Sequence, residues 1–241
     1  MTLILLFLAL IQSAEQQPIV SAEGLVKAMR DRYAKTWYKS VTFTQKTVNI
    51  SPDGSKHEAI WYESMKIPAS LRIEFAPVDS GNGIIFVRDS LFVFERGALK
   101  NARPLIHSLL LLGFDVYSLP VDETVGKLQK LNYNLSVFHE DVWQGRPAYV
   151  VGAKKGDERS KQFWIDKERL VFVRSIDLNP RDSTIISEVQ FNDYRKLGGG
   201  WIGAEVLFLR NSKRVTEEYY SEMKVDVNVP DKLFDTVQWK K

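Results

Sequence analysis

The feature that most constrains the fold is an alternation of apolar and polar residues that recurs along most of the chain. It is clearest in residues 41–44 and 71–75, where every second side chain is apolar. This spacing is typical of β-strands with one buried face, and turn sequences such as residues 51–54 and 144–147 separate successive runs. The pattern predicts about eleven antiparallel strands joined in sequential hairpins.

Helical spacing replaces the alternation in two parts of the chain. Near the start, Ser21 is a suitable N-cap for a helix in which apolar residues follow at a four-residue step. In the middle, two short helices are predicted, one over residues 105–112 after Pro104 and one over residues 122–131 beginning at Asp122. They interrupt the run of strands and divide it into two halves.

A large antiparallel sheet with few helices can bury its apolar face by curling around them. No linker, low-complexity stretch or internal repeat divides the chain. We therefore predict a mainly β fold with helices (α+β), built as a single curved antiparallel sheet in one domain over residues 15–241. A sandwich or a closed barrel fits the alternation equally well.

The N-terminus carries an unbroken apolar run over residues 3–11, followed by polar sequence from Glu15. This run is too short to span a bilayer, which takes roughly 17 to 25 residues, and is typical of a secretory signal peptide. We predict that residues 1–14 are a signal peptide and that the mature protein is soluble in the periplasm. The alternative is an N-terminal strand or helix of the core.

Composition excludes several other classes. The chain has no cysteine, which excludes disulfides, thiolate metal sites and a lipid-modified N-terminal cysteine, so we expect no lipid anchor. The net charge is only +3, and basic and acidic residues are interleaved, which argues against nucleic acid as a partner.

Catalytic and metal-binding motifs are also missing. His57, His107 and His139 lie in separate segments without metal-ligand spacing. Residues 198–203 match G-x-G-x-x-G, but the sequence that follows is a strand, so we predict a hairpin loop there. We expect no metal, no cofactor and no enzymatic activity.

The order of these features resembles the LolA/LolB-like family of outer-membrane lipoprotein-sorting proteins, over nearly the whole mature chain. The resemblance lies in a helix followed by residues 40–45, in the segment 66–72, and in the helical insertion at 105–112. Residues 163–170 and 230–234, like 193–196, resemble later parts of the family. The resemblance implies an unclosed β-barrel with a helical lid and an apolar cavity for acyl chains.

Site residues follow from this implied cavity. In the family an arginine after the proline of the second segment hydrogen-bonds to the lid, and Arg72 occupies that place, although it could equally be a solvated strand residue. Leu109, Leu110, Leu111 and Leu112 are the expected lid. The large apolar residues on the predicted strands are the cavity candidates, with ordinary core packing as the alternative for each: Phe43, Trp61, Met65, Leu71, Ile73, Ile85, Phe92, Phe94, Phe163 and Phe172.

The resemblance implies a monomeric periplasmic carrier that binds the acyl chains of a lipoprotein or another lipid and shuttles it between the inner and outer membranes. Such a carrier would meet a membrane-bound donor and acceptor protein. The alternative is a lipid-sensing regulatory module of the sigma-E regulator type, which signals through a protein partner. That family has a second domain, which favours the carrier here.

Overall fold

The computed structural model describes residues 18–179 and 182–239. The predicted signal peptide, residues 1–14, lies outside the described residues. The three α-helices are α1 (Ala22–Tyr33), α2 (Ser108–Gly113) and α3 (Val121–Lys130).

Within the described residues, thirteen antiparallel strands form one sheet. In chain order they are β1 (Ser40–Ile50), β2 (Lys56–Lys66), β3 (Ser70–Phe75), β4 (Gly83–Val87), β5 (Ser90–Glu95), β6 (Ala98–Pro104), β7 (Phe138–Trp143), β8 (Arg146–Val151), β9 (Gln162–Asp166), β10 (Phe172–Asn179), β11 (Asp182–Leu197), β12 (Gly200–Arg210) and β13 (Lys213–Val225).

The sheet order is β6-β5-β4-β3-β2-β1-β13-β12-β11-β10-β9-β8-β7, so the first and last strands of the chain are neighbours at its centre. Their antiparallel pairing, with Val41 opposite Val225 and Asn49 opposite Thr216, joins two meanders of sequential hairpins. The two edges, β6 and β7, do not pair with each other, and the sheet is an unclosed barrel. The predicted fold class is confirmed.

The extra strands show where alternation fails as a signal. Every residue of β6 is exposed, so its sequence has no apolar period, and only its pairing with β5 defines it. Pro104 ends this strand, where we expected it to open a helix. Helix α2 begins later, with His107 as N-cap, and Pro120 is the N-cap of α3 in place of the predicted Asp122.

Helix α1 begins where its sequence predicts, because the Ser21 hydroxyl accepts a hydrogen bond from the Gly24 amide at 3.0 Å. Its apolar residues, Leu25 and Met29 among them, are buried against the rest of the core. The main core lies between the helices and the concave face of the sheet. The helical insertion between β6 and β7 therefore fills the interior that the open barrel encloses.

The predicted hairpin joins β11 to β12, but its turn is residues 198–199 and β12 already begins at Gly200, so the loop is shorter than the predicted 198–203. The glycines of this turn have a packing reason. A Cβ atom on Gly199 would lie 1.9 Å from the Thr36 carbonyl oxygen, so only glycine permits this approach of the loop to the end of α1. The next residue, Gly200, lies against the rings of Trp37 and Tyr38 in the same way.

The convex face is not left wholly to water. The C-terminal segment after β13 returns across the convex side of β3, β4 and β5, where the Trp239 ring lies 5.2 Å from the ring of Phe94. A Cβ on Gly83 would come within 2.4 Å of the Trp239 ring, which shows how closely the two surfaces meet. The β4–β5 hairpin, whose sequence is apolar on both faces, is thus covered on both.

Candidate functional site: an apolar cavity with two carboxyl groups

A cavity of about 210 Å³ lies between the concave face of the sheet and helix α2. Its walls come from both meanders, because β2, β3 and β4 contribute on one side and β12 and β13 on the other. An adjoining depression of about 370 Å³ shares Trp61, Phe208 and Glu218 with the cavity and extends toward the ends of β11, β12 and β13. The two adjoin at these three residues, and we refer to them together as the recess.

Four of the predicted cavity residues line this space: Trp61 and Met65 on β2, and Leu71 and Ile73 on β3. They share one face because side chains two residues apart on a strand point the same way, and β2 pairs with β3 in register, with Met65 opposite Leu71. The alternation of apolar and polar residues in the sequence therefore identified this wall of the cavity.

Three predicted phenylalanines belong to the same core but do not line the cavity. Phe43 stacks on the ring of Tyr220 at 4.3 Å. Phe163 packs edge-on against Tyr133 at 5.1 Å, and Phe172 packs against Phe191 at 5.0 Å. Of these three partners, Tyr220 and Phe191 are the rings that reach the cavity wall.

Ile85, Phe92 and Phe94 require a correction, because the structure places them on the convex face. On β4 it is Ile84 and Phe86 that line the cavity, so Ile85 between them points away from it. Phe92 pairs with Ile85 and Phe94 pairs with Gly83, which puts both on that outer face, where the ring of Trp239 lies against Phe94. An apolar hairpin covered on both sides does not reveal from its sequence which side faces the interior.

The expected lid, helix α2, divides its leucines between two environments. Leu109 and Leu110 face the cavity, together with His107 at the N-cap. Leu111 and Leu112 are buried at 2% and 1% exposure in the surrounding core. The cavity-facing part of the helix is therefore its first turn.

Arg72 does not bond to α2 in this structure. Its side chain is on the convex face, where Nε donates to the Glu74 carboxylate at 2.6 Å and Nη1 donates to the Leu233 carbonyl at 2.9 Å. The guanidinium also lies 3.6 Å from the centre of the Trp239 ring. Arg72 thus fastens the C-terminal segment to the sheet, and the expected clasp of the lid is corrected to this role.

A different residue ties the helical insertion to the β2–β3 turn. The Asp115 carboxylate, just after α2, accepts a hydrogen bond from the Ala69 amide at 2.9 Å. Burial raises the pKa of Asp115 to about 7, against the opposing effect of the Ala69 hydrogen bond. At the other end of the helix, the His107 ring packs edge-on against Phe86 at 4.5 Å, and burial lowers its pKa to about 4. His107 is therefore neutral at physiological pH.

Two carboxyl groups face the apolar cavity, and the sequence analysis assigned neither to a site: the pair Glu217-Glu218 fitted a solvated charge better, and the structure corrects this for Glu218. Glu63 on β2 is 5% exposed, and Glu218 on β13 accepts a hydrogen bond from the Tyr220 hydroxyl at 3.1 Å. Burial raises the pKa of Glu63 well above its ordinary range, and the nearby charge of Glu218 raises it further. Burial also raises the pKa of Glu218, to about 7, while hydrogen bonds from Tyr220 and Gln45 oppose the shift.

The alternation contained the signal that would have found Glu63. It lies midway between Trp61 and Met65, two residues that the sequence analysis assigned to the buried face, so a period of two puts Glu63 on that face as well. An acidic residue in such a position is unusual, since glutamate is almost never fully buried without a partner.

Other kinds of site are not evident in the described residues. Within residues 18–179 and 182–239 there is no group of three His, Cys, Asp or Glu side chains that could hold a metal ion. None of the described helices is long and apolar enough to span a bilayer.

The fold and its recess are those of a curved, unclosed β-barrel wrapped around helices, and solved structures of this kind match nearly the whole chain. A LolA superfamily protein from Nitrosomonas europaea is 13% identical with a TM-score of 0.56, and the match covers 90% of this chain and 98% of that one. An outer membrane lipoprotein-sorting protein domain from Vibrio parahaemolyticus is 12% identical with a TM-score of 0.59, covering 88% and 95%.

A DUF1329 family protein from Desulfovibrio piger is 17% identical with a TM-score of 0.58, covering 88% of this chain and 95% of that one. A family model described as "Uncharacterized protein" matches residues 122–241. No protein of curated function matches the sequence. The chain therefore has the LolA-like fold, and the resemblance inferred from its sequence is confirmed at the level of the fold.

Proposed function

We propose that this protein is a periplasmic carrier that binds the acyl chains of a lipoprotein or another lipid in the cavity and moves it between membranes, without catalysis. The observation that carries the proposal is the recess itself, enclosed by the concave sheet and the first turn of α2. The apolar run at residues 3–11 supports export, and one solved structure of the same fold is named for outer membrane lipoprotein sorting.

The physics of such a cavity favours lipid. Each buried methylene contributes about 0.8 kcal/mol, so an alkyl chain of a few carbons gains useful affinity from burial alone. The walls supply the required apolar surface through Met65, Leu71, Ile73 and Phe208.

The size of the cavity indicates how loading proceeds. Ligand pockets are typically ~300 to 1,000 Å³, and the enclosed part here is about 210 Å³. A long acyl chain would therefore displace the first turn of α2 outward or extend into the adjoining depression, and Leu109 and Leu110 fill part of the ligand's place when the cavity is empty. In this proposal α2 is a lid whose cavity-facing residues exchange with cargo.

A transfer assay tests the carrier role. Donor vesicles containing a self-quenched fluorescent acyl lipid are mixed with unlabelled acceptor vesicles, and dequenching is followed with and without the purified protein. We expect the protein to accelerate transfer and Leu109→Trp, which fills the cavity, to slow it. The matched control is Leu99→Trp on the exposed edge strand β6. Equal transfer rates with and without protein would exclude the carrier role.

A further inference from the structure

Glu63 is an acidic side chain in an apolar environment. Its neighbours across the strands are Phe43 and Ile73, and its carboxyl group faces the cavity. The residue is only 5% exposed, and within the described ranges no hydrogen-bond donor or cation contacts its carboxyl group. A buried carboxylate without a partner is costly, so this position would be better filled by an apolar residue if its only role were packing.

The second carboxyl group, on Glu218, makes ionisation of Glu63 less favourable. Glu218 reaches the same cavity from β13, on the other side of the central strand β1, and its charge opposes ionisation of Glu63. Two acids that face one apolar space destabilise each other when both are charged, and a cation between them relieves both penalties.

The rest of the wall fits a cation as well. No lysine or arginine is among the described residues that line the cavity, and His107 is neutral there; Arg210 lines only the adjoining depression, with Glu188 also in its wall. The rings of Trp61 and Tyr220 are part of the same wall. Aromatic faces attract ammonium groups, most strongly where water is excluded.

We infer that the cavity binds an amphiphile whose buried end carries an ammonium group, with Glu63 and Glu218 as its counter-ions. Its alkyl chain lies along Met65, Leu71 and Ile73, or follows the recess past Trp61 and Phe208. This inference rests on the proposed function, because it names the chemistry of the cargo that the carrier would take. A carboxylate in place of the ammonium would meet two acids and no cation.

The experiment compares three ligands of equal chain length that differ only in the head group: dodecylammonium, dodecanol and dodecanoate. Each is titrated below its aggregation concentration against protein loaded with a neutral hydrophobic dye, and displacement gives its affinity. A net charge-assisted hydrogen bond of ~1.5 to 3 kcal/mol corresponds to more than tenfold in affinity. We therefore expect dodecylammonium to bind at least about tenfold more tightly than dodecanol, and dodecanoate to bind weakest.

Glu63→Gln should abolish the preference for the ammonium ligand and leave the affinity for dodecanol within about twofold. Glu218→Gln is a second variant with the same expected direction. The matched control is Glu58→Gln, which removes a charge from an exposed position on the same strand as Glu63 and should preserve the preference.

The outcomes distinguish a failure of the ammonium site from a failure of the proposed carrier function. If all three ligands bind with equal affinity, or if the preference survives in both cavity variants, the ammonium site is wrong while an apolar carrier stands. If none of the three displaces the dye, both the ammonium site and the proposed lipid cavity are wrong.

Discussion

Glu218→Gln should change how the stability of the protein depends on pH, and the structure fixes the sign. Burial raises the pKa of this carboxyl from 4.5 to about 7. The folded protein therefore holds a proton between these values that the unfolded chain has lost. The stabilisation from this proton is fully present below pH 4.5 and is lost as the pH rises through 7.

The magnitude follows from the size of the shift. A rise from 4.5 to about 7 corresponds to about 3 kcal/mol at 1.36 kcal/mol per pKa unit. Glutamine keeps the shape of the protonated acid and does not titrate. The free energy of unfolding of Glu218→Gln, measured relative to the parent protein, should therefore improve by about 3 kcal/mol between pH 4 and pH 8.

Urea unfolding followed by tryptophan fluorescence at pH 4, 6 and 8 measures this difference. Glu95→Gln is the control, because it removes an exposed carboxylate, and surface substitutions of this kind change stability by less than ~0.5 kcal/mol. A relative stability of Glu218→Gln that is the same at pH 4 and pH 8 would refute the reasoning. It would show that water reaches the carboxyl group freely in the folded protein.

Three further outcomes test the packing. Gly83→Ala should destabilise the fold by more than ~1 kcal/mol, because its Cβ would meet the Ile73 carbonyl oxygen at 2.2 Å. Gly126→Ala in α3 is the control: its Cβ would meet nothing within 4 Å, and the change should stabilise the fold by up to ~1 kcal/mol. Thermal unfolding compares the two variants. Arg72→Met should cost ~1 to 3 kcal/mol, measured in urea, because it leaves the half-buried Glu74 carboxylate and the Leu233 carbonyl without their donor, and a cost below ~0.5 kcal/mol would contradict its fastening role. Hydrogen exchange should show that the amides of α2 exchange faster than those of α1 in the free protein, and that a bound dodecyl ligand slows the exchange of α2. Equal protection of the two helices without ligand would argue against a lid.

The sequence predicted the sheet well where one face of a strand is buried and the other is not. On β2 and β3 the alternation identified Trp61, Met65, Leu71 and Ile73, all of which line the cavity. The same rule would have placed Glu63 beside them. An acidic residue on that face does not stand out in the sequence, because a period of two is recognised by its apolar members.

The features that the sequence did not predict depend on contacts between distant parts of the chain. Phe94 is buried on the convex face, where its ring meets that of Trp239, more than a hundred residues later in the chain. Arg72 meets Leu233 in the same way. Periodicity reports which residues share a face, but not which element of the fold arrives to cover it. Strand β6 was missed for the opposite reason, since all of its residues are exposed in the described part of the chain.

The central pairing of β1 with β13 has a consequence for how the protein acquires its binding site during synthesis. Each meander consists of neighbouring hairpins that can form as the chain emerges, but the seam joins residues 41–49 to residues 216–225. Glu63 belongs to the first half and Glu218 to the second. Contacts between such distant residues form late, because closing a long loop is entropically costly. The cavity walls are therefore complete only after the last strand has joined the first, so a carrier of the proposed kind could take up cargo only as a fully folded chain.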